Sequence, residues 1–484
     1  MSQVLRFCLF FSLLCASAFA QDKPSPPQPS DSSDPKPGQL TPSVPCVAVP
    51  GQSYALYLPS NYTPTRRWPI VYVFEPGARG ALPAGLMQAA AERYGYLVVG
   101  SNNSHNGPGK PQLDAAQAMW GDTHARFAID DWRVYFAGLS GGAHLSARLA
   151  QLCKCAQGVF LNGAGFEMGT PPSRDVMFPV FAMAGMTDCN YGELVELDAQ
   201  LESLGFPHFL RRFDGGHEWA SPAVWGEAMA WMAFLEMKDG RQRRDDAFIA
   251  AELQRATGRA RKLENAGELY FAWGEYRAAA VTFAGLTDTN ALKERADALE
   301  KNPAVRAGAK QEKAEIEQQR RMEQDIFRII TSGLRDASQE GRNSLRMDAL
   351  MRMRHLREDT LKEKRPETRR VLERARGGMF VSMIETGGPL LDAGDYAAAE
   401  SYFELAAEAR PDSTWPYLAL ARCRASMEDK KEALRELKRA REAGVSPSEL
   451  AQFVKTNPKL APLADDPKYQ ELIADAPANR AVHQ

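Results

Sequence analysis

No stretch of this 484-residue chain strings together the ~18 apolar residues that a membrane-spanning helix needs. A helical membrane span is therefore excluded. An excess of charge of one sign is lacking as well. The 59 Lys and Arg face 61 Asp and Glu, a formal net charge of −2 that speaks against bulk binding to nucleic acid or another polyanion. Histidine and cysteine are both scarce, with seven residues each. Cys153-Lys-Cys155 has no partner pair at zinc-site spacing, so neither a metal nor a cofactor is expected. Few residues separate the strand-like runs of the first half, which leaves little chain for a lid over a pocket.

What is present falls into segments of different character. Residues 1–20 read as a signal peptide: Arg6 supplies a positive charge, Phe7–Leu14 a short apolar stretch, and Ala18-Phe19-Ala20 a small-residue cleavage site before Gln21. The expected location is periplasmic or extracellular, where disulfides can form. One bridge among Cys153, Cys155 and Cys189 is expected there. Residues 21–45 are rich in Pro, Ser and Asp and are expected to form a disordered linker.

Residues 46–238 alternate short β-type runs with amphipathic helices. Strands are predicted at Tyr54–Leu58, Ile70–Phe74, Leu97–Ser101, Arg133–Ala137, Gly158–Leu161, Val180–Ala184 and Phe209–Phe213. Several are solidly apolar, as in a mostly parallel sheet covered by helices on both faces. Residues 240–484 are different: strand signals vanish, and Ala, Glu, Arg and Leu recur at helical spacing. Ala399, Phe403 and Ala406 are matched 34 residues on by Ala433, Leu437 and Ala440, and Gly387 by Ala421. Gly267, Tyr270, Ala279 and Phe283 occupy the same offsets earlier. This is the tetratricopeptide period, so the second half resembles a tetratricopeptide-repeat array over about 260–293 and 380–447. Residues 301–375 are charged helices with apolar positions such as Ile316 and Ile326, not assignable to repeats. Within 301–380, 20 Lys and Arg stand against 13 Asp and Glu with alternating sign, as on a solvated helical face.

The chemistry is carried by Gly138-Leu139-Ser140-Gly141-Gly142, at the end of one predicted strand and the start of a helix. In that setting a G-x-S-x-G turn lifts the serine hydroxyl out of the sheet as a nucleophile elbow. Serine needs a base, and the base needs a group to fix its tautomer. His217, in Asp214-Gly215-Gly216-His217-Glu218-Trp219 after the last predicted strand, is the expected base. Asp188, after Val180–Ala184, is the expected acid; Asp214 is the alternative, three residues from His217 in one tight loop. His144 follows Ser140 by one helical turn and His208 precedes a strand, so neither suits the role.

Residues 46–238 thus resemble a compact α/β-hydrolase, similar to esterases grouped with dienelactone hydrolases, phospholipase/carboxylesterases and polyhydroxybutyrate-depolymerase-like enzymes. Gly138–Gly142, Gly185-Met186-Thr187-Asp188 and Gly215–Trp219 carry the likeness, in the order Ser, Asp, His. The resemblance implies a serine carboxylesterase acting on small or polymeric esters. Members usually carry His-Gly after the strand Ile70–Phe74, to build the oxyanion loop. Here Glu75-Pro76-Gly77-Ala78-Arg79-Gly80 stands instead. Pro76 has no N–H, so Gly77 or Ala78 is expected to supply the second oxyanion donor beside Gly141. Asn102, Asn103, His105 and Trp120 are candidate substrate contacts. The helical half is expected to bind a protein or peptide partner, and a chain ending near Lys238 to keep most activity on small esters. The competing readings are a non-catalytic hydrolase fold that serves only interaction, and a peptidase on the same fold.

Overall fold

The computed structural model describes residues 35–107, 109–167, 169–335 and 339–474, without the side chains of 331–345. The expected signal peptide and residues 21–34 of the linker lie outside the described residues. Residues up to Glu312 form one compact unit, and those from Lys313 a second.

The first unit is built on an eight-stranded sheet of order β1-β2-β4-β3-β5-β6-β7-β8. The strands are β1 (Leu40–Pro45), β2 (Ser53–Tyr57), β3 (Trp68–Phe74), β4 (Leu97–Ser101), β5 (Ile129–Leu139), β6 (Ala156–Asn162), β7 (Val180–Gly185) and β8 (His208–Phe213). From β4 onward across the sheet all neighbours are parallel, while β1 and β2 are antiparallel additions at one edge. Every side chain of β3 and β7 is buried, which is why their sequences, WPIVYVF and VFAMAG, run apolar without alternation.

β1 corrects the expected linker, because residues 40–45 are ordered and pair with β2. Pro42 and Pro45 suggested a tether. At a sheet edge, however, a strand needs backbone donors toward one neighbour only, and proline is tolerated there.

Helices α1 (Ala81–Tyr94), α2 (Gly109–Arg126), α3 (Gly141–Cys153), α4 (Tyr191–Leu204) and α5 (Pro222–Lys238) link and cover the strands. After α5 come α6 (Asp246–Asn265), α7 (Leu269–Phe283), α8 (Asn290–Glu300) and α9 (Pro303–Arg335). The sequence changes character at residue 240, but the compact unit runs on to Glu312. Ala230, Phe234 and Met237 of α5 share one apolar core with Ile249, Ala256, Ala260, Ala272, Tyr276 and Phe283 of α6 and α7. Glu312 accepts hydrogen bonds from Tyr191, Arg212 and Tyr270, tying the start of α9 to β8 and α4.

The second unit is helical: the rest of α9, α10 (Gln339–Lys362), α11 (Pro366–Asp392), α12 (Tyr396–Ala409), α13 (Trp415–Ser426), α14 (Lys430–Glu442), α15 (Pro447–Thr456) and α16 (Pro467–Ile473). Ala399, Phe403, Ala421, Ala433, Leu437 and Ala440 are fully buried in one core. A Cβ on Gly387 would come within 2.5 Å of the Phe403 ring, so α11 and α12 cross closely only because residue 387 is glycine. Among the described residues no helix is long and apolar enough to cross a membrane.

Candidate active site

Ser140 sits between β5 and α3 with φ 54° and ψ −125°, a backbone conformation unfavourable for a residue with a Cβ. The turn is that tight because two glycines permit it. A Cβ on Gly138 would overlap the carbonyl of Gly142, and one on Gly142 would overlap the carbonyl of Phe74. Gly141 and Gly142 open α3, so their N–H groups have no intrahelical acceptor.

At the same end of the sheet, Asp188 follows β7 and His217 follows β8. His217 Nδ1 lies 2.8 Å from Asp188 Oδ1, and Asp188 is completely buried. Asn190 N–H donates to the same carboxylate oxygen at 2.8 Å. The alternative acid, Asp214, makes no ion pair with His217. Burial by itself disfavours the imidazolium. Hydrogen bonds to Asp188 and Cys189, together with their charges, outweigh it and hold the His217 pKa well above the ordinary 6.5.

The elbow and the histidine loop meet at Asn162 and Gly163, the last residue of β6 and its successor. A Cβ on Gly163 would stand 2.9 Å from Asp188 Oδ2, 3.2 Å from Leu139 Cδ1 and 3.3 Å from His217 Cε1. Ser140's neighbour, the carboxylate and the imidazole therefore converge on one residue that has no side chain. Asn162 is the clamp. Its carbonyl accepts from Ser140 N–H at 2.9 Å, its Nδ2 donates to Glu218 O at 3.0 Å, and its Oδ1 accepts from Ala220 N–H at 2.7 Å. Asn162 is a functional residue that strand ends and motif spacing do not single out. The available signal was a polar residue closing the apolar run Val159-Phe160-Leu161.

The expected second oxyanion donors are otherwise engaged. Gly77 N–H donates to Glu75 Oε2 at 2.7 Å, and Ala78 N–H to the Glu75 carbonyl at 3.1 Å. Glu75 is buried and folds back on its own loop, pairing also with Arg79. Three of the four expected substrate contacts serve the fold instead. Asn102 donates to Pro42 O and Ser53 Oγ, and Asn103 joins Ser53 N–H to Gly51 O, fastening β4 to the β1–β2 hairpin. Trp120 is buried, stacked 5.4 Å from Tyr72 and 4.0 Å from His124. His105 is exposed and bridges to Gly77 beside the elbow.

Cys153 and Cys155 are joined in a disulfide, while Cys189 is not in one. Among the described residues, one group of three side chains could hold a metal ion: Asp188, Cys189 and His217. His217 is already hydrogen-bonded to the other two.

The tetratricopeptide repeat family model matches residues 390–454. No curated protein sequence matches the chain. Among solved structures, the chain is similar to S-formylglutathione hydrolase from Staphylococcus aureus, at 13% identity over 42% of this chain and 99% of that one, with a TM-score of 0.31. It is similar to an esterase from the archaeon Pyrobaculum calidifontis at 13% identity, over 40% of this chain and 84% of that one, with a TM-score of 0.32. Dipeptidyl peptidase 4 from Porphyromonas gingivalis is 12% identical over 40% of this chain and 35% of its own, with a TM-score of 0.30. By its sheet order and its strand–serine–helix elbow the first unit has the α/β-hydrolase fold, and the helical second unit carries a tetratricopeptide-like segment at 390–454.

Proposed function

We propose that the protein is a serine hydrolase of the carboxylesterase type, with Ser140 as nucleophile, His217 as general base and Asp188 as the group that orients and charges the imidazole. The observation that carries this reading is the Asp188–His217 hydrogen bond at 2.8 Å, beside an elbow serine in a strained backbone conformation. In the first step His217 takes the Ser140 proton as Oγ attacks the ester carbonyl. It then returns that proton to the departing alkoxide. Water repeats the sequence on the acyl-enzyme, releasing the acid. Gly141 N–H, at the start of α3, faces the developing oxyanion with the favourable end of the helix dipole behind it.

Small soluble esters or ester groups at polymer ends suit a site with short connecting loops. The tetratricopeptide repeats at 390–454 are proposed to bind an extended peptide or a partner's helix. Export to the periplasm or the cell exterior, with cleavage before Gln21, is supported by the apolar N-terminus and by the Cys153–Cys155 disulfide, a bond that persists in oxidising compartments.

Hydrolysis of short p-nitrophenyl esters by the full chain tests the reading. Ser140→Ala and His217→Ala should each lose several orders of magnitude in kcat, to a similar floor, because the residues act as one unit. Near-full activity of Ser140→Ala would overturn it. An inactive wild type that still binds a peptide partner would favour the interaction-only alternative.

A further inference from the structure

The geometry points to the Asn106 side-chain amide as the second oxyanion donor, paired with the Gly141 N–H. This rests on the serine-hydrolase reading above. The loop after β3, where a backbone donor was expected, offers none over its first four positions past Glu75. Pro76 has no N–H, and those of Gly77, Ala78 and Arg79 all donate to Glu75. With those N–H groups engaged, a second donor for a tetrahedral intermediate at Ser140 can come from another element.

Asn106 is placed to be that donor. A Cβ on Gly141 would overlap Asn106 Oδ1 and stand 2.8 Å from its Cγ and 3.1 Å from its Nδ2, so the carboxamide lies directly against the elbow. The backbone of Asn106 is held there from β3's loop: its N–H donates to Pro76 O at 2.8 Å, and His105 bridges to Gly77. Its carboxamide, by contrast, has no hydrogen-bond partner among the described residues, and the residue is exposed. A half-turn of the amide exchanges Oδ1 and Nδ2. An oxyanion at the elbow then selects the orientation that presents the N–H. Glu75 and Asn106 divide the labour: the buried carboxylate fixes the loop by taking its N–H groups, and the amide that the loop supports replaces them at the reacting atom. Gly141 is glycine for the same reason, because any side chain there would displace Asn106.

The test uses full-length wild type, Asn106→Ala, Asn106→Asp and Ser140→Ala with p-nitrophenyl acetate. Loss of one oxyanion donor lowers kcat by about 10²-fold. Asn106→Ala should show that fall with KM nearly unchanged, and its affinity for a trifluoromethyl ketone that adds to the serine should drop by a similar factor. Asn106→Asp, equal in shape but without the N–H, should be at least as impaired. An Asn106→Ala enzyme with wild-type kcat and unaltered ketone affinity, in a series where Ser140→Ala is inactive, overturns the assignment of Asn106 alone. Loss of activity confined to KM, with ketone affinity retained, also overturns it, since that marks a merely structural role. If wild type neither hydrolyses the ester nor binds the ketone, the serine-hydrolase reading fails and the assignment with it.

Discussion

Cutting the chain at Lys238 removes every helix after α5, and the structure gives the consequence a size. Phe234 and Met237 are 3% and 8% exposed, and the Phe234 ring centroid lies 5.0 Å from those of both Phe248 and Phe283. Uncovering two such side chains forfeits roughly 3–6 kcal/mol at about 1.5–3 kcal/mol each. Arg211, nearly buried, loses Glu275, and Arg212 and Tyr191 lose Glu312. Against a total stability of about 5–15 kcal/mol that loss is large. For a unit of this size it corresponds to a fall of roughly 6–24 °C in Tm, at about 2–4 °C per kcal/mol. The truncated chain should therefore melt early or aggregate. A chain ending at Met322, which keeps Glu312 off a fraying helix end, should melt close to the first transition of the full protein. Circular dichroism melts and gel filtration of the three chains decide the matter. A Lys238-ended chain that melts within a few degrees of the full protein would show that α6–α8 contribute little, and the packing argument would be wrong. The expectation of an autonomous domain ending near Lys238 is replaced by one that includes the next helices.

Three further outcomes follow from individual side chains. With His217 as the proposed base, which must be neutral to act and holds its proton more tightly than an ordinary imidazole, kcat/KM should decline as pH is lowered, with a midpoint above 6.5; a profile flat from about pH 8 to 6 would contradict the assignment. Asn162→Ala leaves the buried Ala220 N–H without its 2.7 Å acceptor, which costs about 1–3 kcal/mol, and it unfastens the His217 loop. It should lower kcat more than tenfold, and a variant with wild-type kcat would show that the clamp is not needed. In the second unit, Gly387→Ala drives a methyl into the Phe403 ring, and overpacking of this kind costs about 1–3 kcal/mol. Thermal melts should record the loss, and an unchanged Tm would mean that α11 and α12 have room to part.

Seven of the eight strands were legible in the sequence: β3 to β7 because central parallel strands are largely buried and announce themselves as apolar runs between turn residues, β2 and β8 because short β-type runs stand there between turn residues. β1 was not, since its prolines argue against a strand everywhere except at an edge, and edge position is a property of the finished sheet. The elbow and the residues that meet at Asp188 and His217 could be named from strand ends and chain order alone. The hydrogen bonding of the loop after β3 could not. That Glu75 turns its carboxylate onto the N–H groups two and four residues ahead depends on three-dimensional closure, which residue spacing does not reveal. Asn102, Asn103 and Trp120, named as candidate substrate contacts, stand between β4 and the end of α2. Tertiary bonds to the β1–β2 hairpin and to Tyr72 claimed them first. The end of the first compact unit was hidden for a related reason: composition changes at residue 240, but the apolar face of α5 is covered by helices of the new composition.

The central claim is that Ser140 is an activated nucleophile, and covalent capture by a fluorophosphonate tests it most directly. Intact mass and peptide mapping after exposure of the full-length protein should find one adduct, on Ser140, absent from Ser140→Ala and strongly slowed in His217→Ala. A protein that remains unmodified, or that carries its adduct on another residue with Ser140 untouched, would contradict the account.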